Sequence, residues 1–390
     1  MKKFFDVEKL NSLSDIKFFA GEYDVKPAKI LSKVAPMGKV AFISFFDTHE
    51  KYLKTLISSV LSENIKVISL IMPEPVKYSV EYAAHSFNLP DDVRAVMVID
   101  RSLYEIASYY ANVKNIPLIY VPESACVSDT FEKTFYLKNG DRYDKVEGAK
   151  TVYAVIDEKI VKKDVEKGYA FNMARLTTLI DYRVVKTSDE KLDEAYYSML
   201  KGVTETYNVL SEEPELRPLF ILYNGLTIAL SDRADGFSFI NSSSERVAAR
   251  LNYGDSEKKI NAELSFSLKL LAIYSAAFGI KKEREVFPEY LSRAEKVKSY
   301  LNIGQNVADT DLLKNIKATK KDLKKAVRAM NALEGEAQEL FSHERTVKST
   351  FYALGGKAST VDTKAIKYAG DTFFGVNVMS FLRNLGVTDG

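Results

Sequence analysis

Arg246 and Arg250 are the two side chains whose type and spacing most directly suggest a binding function. They lie four residues apart, so on a helix both would project from the same face. A guanidinium carries a fixed positive charge and a planar fork of donors that suits phosphate and carboxylate oxygens. If the fold turns this helix face towards a cleft, the two guanidinium groups could contact one small anion together.

The same two arginines also fit a structural ion-pair network. Glu245, Glu263 or Asp181 could pair with them and leave no charge for a ligand. The serines at 242–244, just before an acidic residue, are typical of a helix N-cap. The sequence leaves both interpretations open.

Composition restricts the class of protein and its partners. The chain has 390 residues, 46% of them hydrophobic and 12% aromatic, which is enough for two sizeable cores. Lysine and arginine number 55 against 53 acidic residues, so the net charge of +2 favours neither a nucleic acid nor an anionic membrane as partner. The longest apolar stretch, residues 270–279, is too short to span a bilayer. A single cysteine, Cys126, and an N-terminus that turns polar early predict a cytoplasmic protein.

The first 160 positions alternate between strand-like and helix-like segments. Five short runs are rich in β-branched and aromatic residues: 39–46, 65–71, 94–99, 116–121 and 151–156. Helix-like stretches lie between several of them, including 50–62 and 103–113. This alternation predicts a parallel, doubly wound sheet of the nucleotide-binding type. Asn139-Gly140-Asp141 predicts a hairpin turn that decorates it.

Helical periodicity replaces this pattern after about residue 164. It runs through 174–185, 193–210, 261–278, 288–301 and 320–340. We therefore predict two domains, a Rossmann-like α/β domain at 1–164 and a helical domain at 165–390.

A longer pattern at the start of the helical half carries a family resemblance. Val155-Ile156-Asp157, Gly168 to Arg175 and Asp181-Tyr182 resemble this region of the sn-glycerol-1-phosphate dehydrogenases, relatives of glycerol dehydrogenase, iron-containing alcohol dehydrogenase and 3-dehydroquinate synthase. The likeness runs from about Lys17 to Gly279. It implies a dehydroquinate synthase-like fold, with an α/β N-terminal domain and an all-α C-terminal domain. It also implies an oxidoreductase ancestry and a homo-oligomer.

The resemblance places a cofactor region at three strand ends. The family's acidic-Thr pair is matched by Phe46-Asp47-Thr48. Its glycine loop is replaced by Ile99-Asp100-Arg101-Ser102, and its Val-Pro-Thr segment by Val121-Pro122-Glu123. Without glycines, backbone amides cannot approach a pyrophosphate closely, and Asp100 and Glu123 add negative charge there. The implied degenerate cofactor region comprises Asp47, Thr48, Ser102 and Glu123. NAD(P) binding in the family manner is not expected, although NAD(P) is left open as a cofactor.

The family's metal ligands are also replaced. By resemblance, Phe171 occupies the position of the aspartate that binds the metal in the family. Arg246 or Arg250 occupies the position of the first histidine motif, and Asn261 that of the last histidine. Catalytic zinc needs three protein donors, which these residues do not supply, so we predict no divalent metal at this site. No histidine falls at a ligand position; the three are His49, His85 and His343.

The arginines thus stand where a metal would have polarised the substrate. The resemblance adds Arg175 and Asp129, although Asp129 is equally typical of a loop turn. The predicted anion site in the interdomain cleft comprises Arg175, Arg246, Arg250, Asn261 and Asp129. We predict a glycerol-1-phosphate dehydrogenase-like protein with lost or strongly altered NAD(P)- and metal-dependent activity, whose cleft binds a small phosphorylated or carboxylated anion. Such a protein could serve as a sensor or in a complex with an active paralogue. The alternative is an active, metal-independent NAD(P)-dependent oxidoreductase on a small polyol phosphate or ketone.

Overall fold

The structure is a computed structural model, which describes residues 6–74, 76–128, 130–140, 142–165, 167–168, 171–172 and 214–235. Six strands form its main sheet: β1 (Lys17–Ala20), β2 (Lys39–Ser44), β3 (Lys66–Ile71), β4 (Val93–Val98), β5 (Leu118–Tyr120) and β8 (Val152–Ile156). Strands β6 (Thr134–Asn139) and β7 (Arg142–Glu147) form a separate hairpin.

Helices precede, connect and follow these strands. They are α1 (Val7–Leu13), α2 (Lys26–Val34), α4 (Val80–Ser86), α5 (Tyr104–Lys114) and α6 (Arg217–Asp235). The helix we call α3 has three consecutive segments, Phe46–Thr48, the π-helical His49–Leu53 and Lys54–Ser62. Short 3₁₀ turns at Arg101–Leu103 and Pro214–Leu216 precede α5 and α6. No helix among the described residues is long and apolar enough to cross a membrane.

The sheet is parallel throughout, in the order β1-β8-β5-β4-β2-β3. After β2 the chain places β3 on one side and β4 on the other, which creates a topological switch point between β2 and β4. The inner strands are almost fully buried, as expected for strands covered on both faces. The predicted doubly wound α/β region is therefore confirmed.

Local sequence signals match the observed elements closely. The predicted strand 39–46 ends earlier, at Ser44, because Phe46 already begins α3. The predicted hairpin is present, with Asn139 opposite Arg142 and Gly140 at a φ of 60°, a left-handed conformation that glycine adopts without strain.

The described helical residues after 164 pack onto loops at the carboxyl edge of the sheet. Residues 165, 167–168 and 171–172 are helical, and the Asn172 amide donates a hydrogen bond to the Ile221 carbonyl of α6 at 3.0 Å. A Cβ at Gly168 would lie 2.8 Å from the Ala125 carbonyl oxygen, so only glycine permits this approach. These residues agree with a helical second half. The proposed boundary at 164, and the predicted helices elsewhere in the C-terminal half, stay predictions.

Three aromatic rings support the loops that follow β4 and β5. Tyr104 at the start of α5, Tyr120 at the end of β5 and Phe131 are each at most 2% exposed, with ring centroids 4.8 to 5.4 Å apart. Aromatic pairs at such distances add about 0.5–1.5 kcal/mol each beyond the burial of apolar area. This cluster supports the segments that follow β4 and β5, each of which contributes one acidic side chain to the candidate site.

Candidate functional site

The candidate site lies at the switch point between β2 and β4. Open α/β sheets bind ligands in the crevice beyond the carboxyl ends of the strands, at the point where strand order reverses. Here Ile43 of β2 is in register with Val98 of β4. The residues that follow these two strands therefore line the crevice.

Asp100 fills this crevice with its own carboxylate. Its Oδ2 accepts a hydrogen bond from the Phe45 backbone N–H at 2.9 Å, and its Oδ1 accepts one from the Thr48 hydroxyl at 2.5 Å. The residue is only 3% exposed. A helix start is where a bound phosphate would find its amide donors, and here an internal anion takes that place.

Glu123, after β5, presents a second buried carboxyl group to Asp100. Its side chain is 4% exposed, and Oε1 accepts a hydrogen bond from the Lys163 ammonium at 2.8 Å. Each carboxyl group shifts the titration of the other, so the two lie close together. Within the described part of the chain, no nitrogen or hydroxyl donor reaches Glu123 Oε2. A proton on one of the two acids would supply the missing hydrogen bond.

The electrostatics of this pair favour such a proton. Burial raises the pKa of Glu123 from its ordinary value of 4.5 to about 7, and the charge on Asp100 adds to the shift while Lys163 opposes it. Burial also raises the pKa of Asp100, against the hydrogen bonds from Thr48 and Phe45. Because the two acids titrate as a coupled pair, the proton belongs to both. Near neutral pH the pair therefore exchanges a proton with solvent.

Lys163 is held beside Glu123 by the backbone as well as by its charge. The Glu123 carbonyl accepts hydrogen bonds from the N–H groups of Lys162 and Lys163 at 3.0 and 3.1 Å. Burial alone would lower the pKa of Lys163, but its hydrogen bond to Glu123 and the nearby acidic charges raise it. With 46% of its side chain exposed, the ammonium connects the buried pair to solvent.

The structure brings together half of the predicted cofactor region. Thr48 and Glu123 both lie beside Asp100. Asp47 is exposed, and Ser102 is half-buried in the 3₁₀ turn before α5. Neither Asp47 nor Ser102 is among the described donors to Asp100, which are the Phe45 backbone N–H and the Thr48 hydroxyl.

Phe171, at the position compared with a metal-binding aspartate, is a fully buried core residue. Its exposure is 0%, and the Arg101 guanidinium lies 5.9 Å from its ring centroid. Arg101 is itself 6% exposed, so this cation–π contact is largely desolvated. Across the described residues, no three His, Cys, Asp or Glu side chains are grouped as a metal site would require.

The residues predicted for the anion site lie outside the described residues; they are Arg175, Arg246, Arg250, Asn261 and Asp129. Ser128, the residue before Asp129, is fully buried, and so is Cys126. The anion site thus stays a prediction from the sequence.

Sequence reasoning missed Lys163 and the mutual contact of the two acids. Asp100 and Glu123 were identified only as charges that would repel a phosphate. Since neighbouring parallel strands end at one edge, their positions after β4 and β5 could have predicted the contact. Lys163 offered no such signal, because it follows a turn beyond β8 and lies 40 residues from its partner.

Comparison with known proteins establishes the fold. No protein-family model and no curated protein sequence matches the chain. Among solved structures, it is similar to the iron-containing alcohol dehydrogenase of Corynebacterium glutamicum, with a TM-score of 0.55 and 15% identity over 90% of this chain and 86% of that one. It is also similar to the iron-containing alcohol dehydrogenase of Thermotoga maritima, with a TM-score of 0.53 and 10% identity over 82% of this chain and 98% of that one. An archaeal alcohol dehydrogenase from a Red Sea brine pool aligns with a TM-score of 0.53 and 14% identity over 91% and 97% of the two chains.

At such low identities the likeness concerns the fold. The chain has the fold of the iron-containing alcohol dehydrogenases, which confirms the dehydroquinate synthase-like fold class predicted from the sequence. The narrower resemblance to sn-glycerol-1-phosphate dehydrogenases stays a prediction.

Proposed function

We propose that this chain is a divergent relative of the glycerol-1-phosphate and iron-containing alcohol dehydrogenases that has lost or strongly altered their NAD(P)- and metal-dependent chemistry. Its cleft binds a small phosphorylated or carboxylated anion. One observation carries the proposed loss of dinucleotide chemistry. In the crevice at the switch point, the Asp100 carboxylate accepts the hydrogen bonds of the Phe45 N–H and the Thr48 hydroxyl.

A dinucleotide would meet both competition and repulsion in this crevice. Its pyrophosphate would have to displace Asp100 from its donors and then lie beside the Asp100 and Glu123 pair, which keeps one negative charge even when the two acids share a proton. Two like charges 4 Å apart repel by about 4 kcal/mol at an effective dielectric constant of 20. That energy weakens binding by roughly a thousandfold. Weak or undetectable NAD(P) binding follows.

The anion-binding part of the proposal rests on the sequence. Arg246 and Arg250 share the spacing of one helical turn, and Arg175 is the third guanidinium in the region of resemblance. The buried phenyl ring of Phe171 supports the loss of the metal, because a hydrocarbon ring offers no ligand atom. Fixed guanidinium charges would then hold the ligand in place of a cation.

The cofactor is tested by titrating the purified protein with NADH and NADPH, with and without added zinc. We expect no enhancement of nicotinamide fluorescence and no rise in melting temperature. Tight binding of either nucleotide would overturn the proposal. It would favour the alternative, a metal-independent oxidoreductase on a small polyol phosphate or ketone.

The anion is tested by calorimetry with glycerol phosphates, inorganic phosphate and small carboxylates. Wild type should bind at least one of them, and Arg246→Ala should lose about tenfold or more in affinity, the effect of removing a charge-assisted hydrogen bond. Arg94→Ala is the matched control, since Arg94 is exposed on β4 near the opposite edge of the sheet. No binding by wild type, or equal loss in the two variants, would refute an arginine-based anion site.

A further inference from the structure

One edge of the main sheet is formed by β3. Among the described strands β3 comes last in the sheet order, so β2 pairs with one side of it only. The Lys66 N–H donates to the Gly38 carbonyl at 3.3 Å, and the Met72 N–H donates to the Ser44 carbonyl at 2.8 Å. Successive residues of a strand direct their N–H and C=O groups to opposite sides, so the even-numbered residues of β3 face β2. The odd-numbered residues, which direct these groups away from the sheet, are Val67, Ser69 and Ile71.

This edge lacks the features that usually keep edge strands from pairing. Lysines, prolines and β-bulges commonly protect such strands. The six residues of β3 include no proline and one charged residue, Lys66 at the first position, and the register with β2 is unbroken. Val67, Ile68 and Leu70 are half-buried, and Ile71 is 49% exposed. An apolar strand with a row of outward backbone groups is suited to pairing with another strand.

The edge is complementary to a second copy of itself. When two β3 strands run antiparallel with Ser69 opposite Ser69, each Val67 lies opposite an Ile71, and the outward N–H and C=O groups of all these residues find partners. On the other face of the sheet, Ile68 lies opposite Leu70. Apolar side chains therefore face apolar side chains, and an exposed serine lies on the two-fold axis.

A shift of this register leaves backbone groups without partners. With the two-fold axis at Ile68, Ile71 would lie opposite Ile65 of the other copy. The Ile65 N–H already donates to the Val60 carbonyl at 3.4 Å, within the turn that follows α3. The register centred on Ser69 is thus the one that satisfies the whole edge.

Exposed apolar side chains at the two ends of β3 fit the same arrangement. Met37, 93% exposed, precedes Gly38 at the amino end of the strand, and Leu61, 53% exposed, lies in the last turn of α3 beside that end. Ile71 lies at the carboxyl end. Antiparallel pairing brings the amino end of one copy to the carboxyl end of the other, so these side chains come to the same end of the contact. Removing them from water favours association.

We propose that two copies of this chain associate through β3, antiparallel and about a two-fold axis at Ser69, so that their main sheets form one continuous sheet. The family resemblance implied a homo-oligomer but no surface for it, and the outer edge of β3 provides one. This inference goes beyond the proposed function, because the contact requires neither an anion nor a nucleotide.

The association is tested on the full-length protein by sedimentation equilibrium. Wild type should be dimeric. Ser69→Pro should dissociate at least about tenfold more readily, because it removes an outward N–H and no hydrogen bond to β2. Ser69→Ala, which keeps this N–H, is the matched control and should behave as wild type. A monomeric wild type, or equal association of Ser69→Pro and Ser69→Ala, would overturn the proposal.

Charges placed on the axis test whether the strand pairs with itself. Ser69→Lys and Ser69→Glu should each associate about tenfold or more weakly than wild type, because identical charges lie opposite each other. An equal mixture of the two variants should form mixed dimers. Ser58→Lys, at an exposed position of α3, should associate as wild type does. Undiminished association of both Ser69 variants, or a mixture that stays monomeric, would contradict a two-fold axis at this residue.

Hydrogen exchange of single amides locates the contact on the strand. The amides of Val67 and Ile71 should be protected in the wild-type dimer and should exchange at least about tenfold faster in Ser69→Lys. The amides of Lys66 and Ile68 face β2 in both proteins and serve as the reference. Rapid exchange of Val67 and Ile71 in the dimer, or their protection in a monomer, would refute pairing through β3. These measurements omit ligand, so their failure is distinguishable from failure of the proposed function.

Discussion

The Thr48 hydroxyl donates a 2.5 Å hydrogen bond to the carboxylate of Asp100, across the point where a doubly wound sheet binds its ligand. The bond joins the end of β2 to the end of β4. A crevice that could admit a phosphate is thereby occupied by the protein's own acid.

Removing this hydroxyl should destabilise the fold. Thr48→Ala leaves the buried Asp100 carboxylate with one hydrogen bond from Phe45 instead of two. A hydrogen bond to a charged group contributes about 1.5–3 kcal/mol, so the free energy of unfolding should fall by this amount. Urea denaturation measures this loss of stability in Thr48→Ala. Thr55→Ala, at an exposed helix position, is the control. Equal stability of the two variants would mean that the bond contributes nothing.

Stability should fall as the pH rises through the neutral range. Because the folded-state pKa of Glu123 is raised from 4.5 to about 7, the folded protein holds a proton that the unfolded chain has lost. The stability from that proton is complete below pH 4.5 and is lost as the pH rises through about 7. The shift corresponds to a loss on the order of 3 kcal/mol.

Denaturant titrations from about pH 5 to about pH 8 check this dependence. Surface carboxylates such as Glu22, whose pKa is lowered by the Lys159 ammonium, change charge below this window. Glu123→Gln should show a flatter profile, whereas Glu63→Gln should follow wild type. A wild-type profile that rises with pH over this range would contradict the raised pKa.

Phe171 should contribute far more stability than an exposed aromatic residue. Phe171→Ala removes a fully buried ring and the contact with Arg101, so a loss of about 3–5 kcal/mol is expected. Phe46→Ala serves as the control, since Phe46 is 61% exposed, and should cost about 0.5 kcal/mol or less. Thermal or urea unfolding monitored by circular dichroism compares the two. Similar losses would place the Phe171 ring outside the core.

The single thiol should be inert in the folded protein. Cys126 is 0% exposed, so a disulfide reagent can reach it only when the structure opens. We expect its modification in native buffer to be at least about a hundredfold slower than in denaturant. Because the chain holds one cysteine, the measured rate belongs to that residue alone. Rapid reaction of the native protein would contradict its burial.

Much of the fold was determined by local sequence. The runs 39–46 and 94–99 predicted strands whose apolar side chains are buried on both faces, and the hairpin at 139–141 was predicted from its Asn-Gly pair. These features depend on neighbours along the chain, which is why hydrophobic pattern and turn chemistry suffice to predict them.

Only the tertiary structure decided what the residues at the strand ends do. The sequence predicted that Asp100 and Glu123 would repel a phosphate, but their mutual contact depends on β4 and β5 lying side by side. The partnership with Lys163, 40 residues from Glu123, and the packing of Arg101 on Phe171 depend on contacts between segments distant in the chain. Burial then gives these contacts their strength, because charges removed from water respond to the groups that the fold places beside them.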